Sequence, residues 1–121
     1  MKHAFAVPIR PGRTDAFRQM CAEIHGTRLA EFTELQRRCG VVGEWNWIQH
    51  GPTGDLALAL IETATDDGMR DRMVQGLAGM SESFTAWFRT GILECFGFDP
   101  GLPTGASANE LVLEWRADAR S

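Results

Sequence analysis

Between Val41 and Thr63 the chain reads VVGEWNWIQH, then GPTG, then DLALALIET. Two alternating runs joined by a short Gly/Pro turn have one ready solution, an antiparallel hairpin, and the remaining residues must be arranged around it. With Gly51–Gly54 as the connecting loop, His50 falls opposite Asp55, Trp47 opposite Leu58 and Trp45 opposite Leu60. Side chains alternate along a strand, so this register sorts the hairpin into two faces. Trp45, Trp47, Gln49, Leu56, Leu58, Leu60 and Glu62 share one; Glu44, Asn46, Ile48, His50, Ala57, Ala59 and Ile61 share the other. Large leucines suit packing under helices and small alanines suit the approach of a second sheet, so the Trp/Leu face is expected to be the covered one.

The flanks supply the cover. His3 to Ile9 alternates and reads as a first strand, with Pro8 unable to donate to a ladder and so placed at an edge. Thr14 reads as the N-cap of a helix, with Asp15 in its first turn. Phe17, Met20, Cys21, Ile24, Leu29, Phe32, Leu35 and Cys39 then recur at helical steps as far as Gly40, a residue suited to a left-handed helix end. Gly26 interrupts that stripe, leaving one long helix or two short ones as alternatives. Asp66 to Phe96 reads as two helical pieces broken near Gly76 and Gly79, the second capped by Ser81 or Ser83, carrying Phe84, Trp87, Phe88 and Cys95 inward, and ended by Gly97. Phe98 to Asn109 reads as a loop, and ELVLEWR (Glu110–Arg116) alternates as a last strand with Leu111, Leu113 and Trp115 on one side.

The expected order is therefore β-α-β-β-α-β: a ferredoxin-like α+β domain with a four-stranded antiparallel sheet and both helical regions on one face. One domain spans residues 1–121, with 117–121 as a frayed tail; 121 residues hold one core and not two. The sheet face carrying Ala57, Ala59, Ile61, Ile48 and Val112 is then left for a second copy, giving a homodimer of the dimeric α+β-barrel type. A formal net charge of −4 with scattered Lys and Arg argues against a nucleic-acid footprint. The longest apolar run, Leu56–Ile61, falls far short of the roughly 20 residues of a membrane span. The opening residues hold too short an apolar stretch for a secretory signal, and Cys21, Cys39 and Cys95 show no CxxC spacing, so a cytoplasmic location with reduced thiols is expected.

The hairpin GVVGEWNWIQHGPTGDLALALIE, with SESFTAWFRTGILECFG downstream, resembles a group of uncharacterised small bacterial proteins of the dimeric α+β-barrel type. The matching positions are Glu44, Trp47, Gln49, Pro52, Gly54, Asp55, Trp87, Phe88 and Arg89. The wider superfamily includes antibiotic-biosynthesis monooxygenases and haem-degrading enzymes, so the resemblance implies a ligand between sheet and helices and, in one version, cofactor-independent oxygenation. Asn46, Trp45 and Arg89 are residue types that such monooxygenases use, at a spacing that does not match; the haem-degrading Asn-Trp-His pattern is also unmatched.

The residues themselves offer one candidate constellation. Trp47, Gln49 and Glu62 on the covered side of the hairpin, with Trp87 on the inward stripe of the last helix, would give a cleft aromatic walls and a few polar groups to orient a small aromatic ligand. His3, on the parity of Phe5 and Val7, is a further candidate base or ligand. The alternative is that both tryptophans simply fill the core, Glu62 sits at a wet strand end and His3 lies at an exposed terminus. Cys21 and His25 stand four apart on a helix without a second ligand pair, so neither metal nor cofactor is expected. Three readings follow: a small-molecule-binding or enzymatic protein, a non-catalytic structural or stress-related homodimer, and a haem protein.

Overall fold

The computed structural model describes residues 1–64, 69–101 and 109–117. Its elements are β1 (Lys2–Pro8), α1 (Thr14–His25), α2 (Leu29–Cys39), β2 (Val41–Gly51), β3 (Gly54–Thr63), α3 (Met69–Ala78) and α4 (Glu82–Phe96). The strands form one three-stranded antiparallel sheet in the order β1-β3-β2.

The hairpin register is the expected one: His50 pairs with Asp55, Trp47 with Leu58 and Trp45 with Leu60. Gly51 and Gly54 also pair, so Pro52 and Thr53 form the tip, and Gly54 takes a φ of 135° that disfavours any other residue. Near the start of β2 the ladder slips, Val41 opposite Thr63 and Gly43 opposite Glu62, leaving Val42 as the extra residue of a bulge.

The helical stripe up to Gly40 resolves into two helices. α1 stops at His25, Gly26 begins the break, and Gly40 ends α2 in the left-handed conformation with its N–H returned to Arg37 and Gln36 carbonyls. Ser81, not Ser83, caps α4 by accepting the Phe84 N–H at 3.2 Å, and Gly97 closes that helix at a φ of 84°. Gly76 does not break the helix but lies inside α3, against Leu35 and Cys39 of α2, where a Cβ would meet them at ordinary contact distances of 3.4 and 3.6 Å. Thr14 does not cap α1: it is the helix's first residue, and its hydroxyl donates to Asp55 Oδ2 at 2.6 Å, tying α1 to the hairpin tip.

Two expectations are overturned. The fold is not the ferredoxin-like β-α-β-β-α-β domain with a four-stranded sheet, and so not half of a dimeric α+β barrel of that type; the order is β-α-α-β-β-α-α with three strands. Glu110–Arg116 forms neither helix nor strand. Alternation gives a segment the capacity to be a strand, but a ladder also needs an edge that receives it.

The covered face is also the opposite one. Ala57 is buried with Ile9, Phe17 and Cys95, with Ile48 and Phe96 packed around them. Gln36 of α2 reaches Glu44 Oε1 at 2.7 Å. Helices therefore lie over the set containing His3, Phe5, Val7, Glu44, Asn46, Ile48, Ala57, Ala59 and Ile61. The physical reason is volume: small side chains on the sheet let helices approach, and the helices bring the bulk in Phe17 and Phe96, whose rings meet edge to face at 5.1 Å. A second cluster lies among the helices, where Met20, Leu35, Cys39, Leu77, Phe84 and Phe88 are buried and Trp87 and Ile92 pack against them.

Candidate functional site

Trp45 and Trp47, on alternate positions of β2, stand beside Leu60 and Leu58 of β3, with Leu56 across from Gln49. Ala4 and Ala6 of β1 continue the row beyond Leu60 and Leu58. Among the described residues, no helix lies over this side of the sheet. Trp45 is 47% and Trp47 52% exposed, and Ala4, Ala6, Pro8 and Gln49 are exposed as well. Trp45 folds back along its own strand, and its ring fills the place a Cβ of Gly43 would take, 2.8 Å from the nearest ring carbon. The result is a flat apolar surface with Lys2 and Glu62, cross-strand partners, at one end. A contiguous apolar surface of this kind on a small domain marks a place where something docks.

The structure brings together only part of the constellation expected from sequence. Trp47, Gln49 and Glu62 do share a face, but Trp87 and His3 lie on the other side of the sheet. Trp87 packs among Phe84 and Phe88, with ring centroids 5.8 and 6.4 Å away, under the Arg28 guanidinium at 5.0 Å. His3 Nε2 sits 3.1 Å from Thr63 Oγ1, and the N-terminal amine donates to the Thr63 carbonyl at 2.8 Å. Both fasten the fold. The residues sequence reasoning missed as surface are Trp45, Leu56, Leu58 and Leu60; their shared parity was visible, but their size pointed to the core.

On the covered side the polar groups are engaged with one another. Asn46 donates to Glu44 Oε2 at 2.9 Å, and Arg89 makes a two-point bridge to Asp99 at 2.9 and 2.6 Å. The Arg89 guanidinium holds the Asp99 carboxyl below its ordinary range, helped by the Gly101 N–H. Asn46, Trp45 and Arg89 therefore do not converge, and the monooxygenase-like arrangement finds no geometry here. An open groove beside α4, lined by Leu77, Met80, Thr85, Leu93, Arg89 and Asp99, presents that already neutralised pair.

At the hairpin tip, Asp55 accepts from the Thr14 hydroxyl and lies 2.9 Å from His50 Nδ1. The Thr14 bond first and the His50 contact second hold the Asp55 carboxyl below its usual value. This chain joins β2, β3 and α1. The thiols are poor nucleophiles: burial pushes Cys39 up to about 11 and raises Cys95 and Cys21. Cys21 packs beside Phe17 and Ile9 while His25 is exposed, and among the described residues no three His, Cys, Asp or Glu side chains are placed to hold a metal. No helix among the described residues is long and apolar enough to cross a membrane.

No family model, no curated protein and no solved structure matches this chain. The resemblance drawn from the hairpin and the Trp-Phe-Arg segment thus rests on those residues alone.

Proposed function

We propose that the protein is a non-catalytic association module whose working surface is the uncovered face of the sheet, and that the occupant of that face is a second copy of the chain. The observation that carries this reading is the run of Trp45, Trp47, Leu56, Leu58 and Leu60 on a face that no described helix covers. A flat apolar surface is self-complementary under a two-fold axis, which presents the same patch from both subunits. Its tryptophans are the residue type that carries interface energy when desolvated. The chain's net charge of −4 disfavours an anionic lipid surface as the occupant. The chemistry of the helical side supports the same reading, since Glu44 accepts from the Gln36 and Asn46 amides, Arg89 is paired with Asp99, and burial raises the thiols above their ordinary range.

Gel filtration of the wild type and of Trp47→Glu tests this. The wild type should elute as a species larger than one chain at micromolar concentration, and the variant as one chain with unchanged circular dichroism. Identical elution of the two would remove the surface from the reading.

A second reading, an aromatic small molecule lying on the same face, is favoured by the exposed rings of Trp45 and Trp47. Titration with planar aromatic compounds, followed by tryptophan emission in Trp87→Phe, separates it: saturable quenching lost in Trp47→Ala would support it, and a linear, non-saturable response would not.

A further inference from the structure

The uncovered face of the sheet is not level. Read across the strands, its rows run Ala4–Leu60–Trp45 and Ala6–Leu58–Trp47, so side-chain size climbs twice in the same direction, from β1 through β3 to β2. At one end Lys2 and Glu62 lead to Gly43, where the folded-back Trp45 ring comes within 2.8 Å of the place a Cβ would take. At the other end the row is Pro8–Leu56–Gln49. The face is a ramp, low over β1 and high over β2.

We infer that two copies meet on this face about a two-fold axis running along β3, so that Trp45 and Trp47 of each chain seat over the partner's Ala4 and Ala6. This rests on self-association through that face and adds how the second copy lies on it.

Shape is the first argument. A two-fold axis between two sheets packed face to face can run along the strands, across them or diagonally, and the diagonal gives the orthogonal packing. An axis along the strands reverses the order β1-β3-β2, so each high side comes down on a low side and the space between the sheets has even depth. An axis across the strands lays β2 on β2 and β1 on β1. Tryptophans then meet tryptophans, while the alanines of both chains face each other over a void that close packing does not tolerate. A diagonal axis matches the ramp to its complement only along one line. The twist of about 30° between aligned sheets does not change which strand lies over which. Symmetry also sets the register, because a two-fold carries no translation along its own line. Each row meets its own row, with Leu58 and Leu60 packed on their own copies at the centre.

Charge selects the same axis. Lys2 and Glu62 are the charged members of these rows and lie together at one end, while the opposite end carries no charge on this face. An axis along the strands brings the two charged ends together. Each Lys2 then has the partner's Glu62 within its reach as well as its own, in a cluster of zero net charge. An axis across the strands sets each charged end on the partner's Pro8, Leu56 and Gln49, where Lys2 and Glu62 lose water and gain no new partner.

Ala6→Trp raises the low side, and the two axes give it opposite signs. Set against the partner's Trp47, the added ring should weaken self-association at least tenfold in sedimentation equilibrium. Ala6→Trp/Trp47→Ala reverses the slope of that row in both chains and should recover most of the loss. Association of Ala6→Trp as tight as the wild type or tighter would overturn the arrangement, since two low sides laid together would have room for the ring. Cross-linking gives a reading that needs no bulky substitution. A short bis-maleimide added to an equimolar mixture of Ala6→Cys and Trp47→Cys chains, with the wild type as control for the native thiols, should join the two different chains in preference to like ones. Trp47→Cys chains that join to each other as readily would overturn the inference. A wild type that associates while Ala6→Trp has no effect removes the arrangement and leaves the surface standing; a wild type that stays a single chain at every concentration removes both.

Discussion

The two faces of β3 make the clearest contrast in the molecule. One presents Ala57, Ala59 and Ile61 and is covered by helices; the other presents half-buried Leu56, Leu58 and Leu60 beside exposed Trp45 and Trp47, and no described helix covers it. Residue by residue the bare face is the more apolar. Side-chain size on a strand therefore says little about which face is inside, because a layer is filled jointly by both elements that meet in it. Helices that bring Phe17 and Phe96 fill the layer over the small Ala57. The leucine face carries its own bulk and is left to a partner.

That contrast is tested most strongly by truncating one aromatic from each side. Phe84, fully buried in the helical cluster and stacked 5.7 Å from Phe88, should cost about 3–5 kcal/mol when replaced by alanine, read from denaturant unfolding. Trp47→Glu should leave the stability of the single chain within about 0.5 kcal/mol, as a surface substitution does, while weakening self-association at least tenfold. A large loss of single-chain stability in Trp47→Glu would mean that the bare face belongs to the core after all.

Two smaller effects probe the covered side. Ser81→Ala removes the acceptor of the Phe84 N–H and should cost about 1 kcal/mol, visible as a lowered unfolding midpoint without a change in association. Asp55 supplies the pH dependence. Its carboxyl is held below the ordinary 3.8 by Thr14 and His50, so the contact contributes its full stabilisation above that value and loses it as pH falls through the lowered one. Thr14→Val should therefore move the acid unfolding midpoint to higher pH, and an unchanged acid limb would show that the hairpin tip is not tied to α1 in solution.

The local structure was legible in the sequence, but the ferredoxin-like fold expected from it was not the one formed. The Gly51–Gly54 turn fixed the hairpin register, Gly40 and Gly97 fit left-handed helix ends, and the stripe through Phe84, Phe88 and Cys95 followed helical spacing. What alternation cannot supply is the sign. It separates two sets of residues, and when both are apolar it does not say which set meets the helices. The same gap explains Glu110–Arg116: it has a strand's pattern, and the pattern holds no information about whether an edge receives it. The candidate site failed at that point too, since Trp47 and Trp87 were expected in one cleft and the sheet stands between them.

Sedimentation equilibrium of the wild-type chain over a wide concentration range bears most directly on the bare face. Burial of Trp45, Trp47 and the leucines against a second copy predicts a weight-average mass that climbs above the 13.4 kDa of one chain as concentration rises. A mass fixed at 13.4 kDa throughout would contradict it.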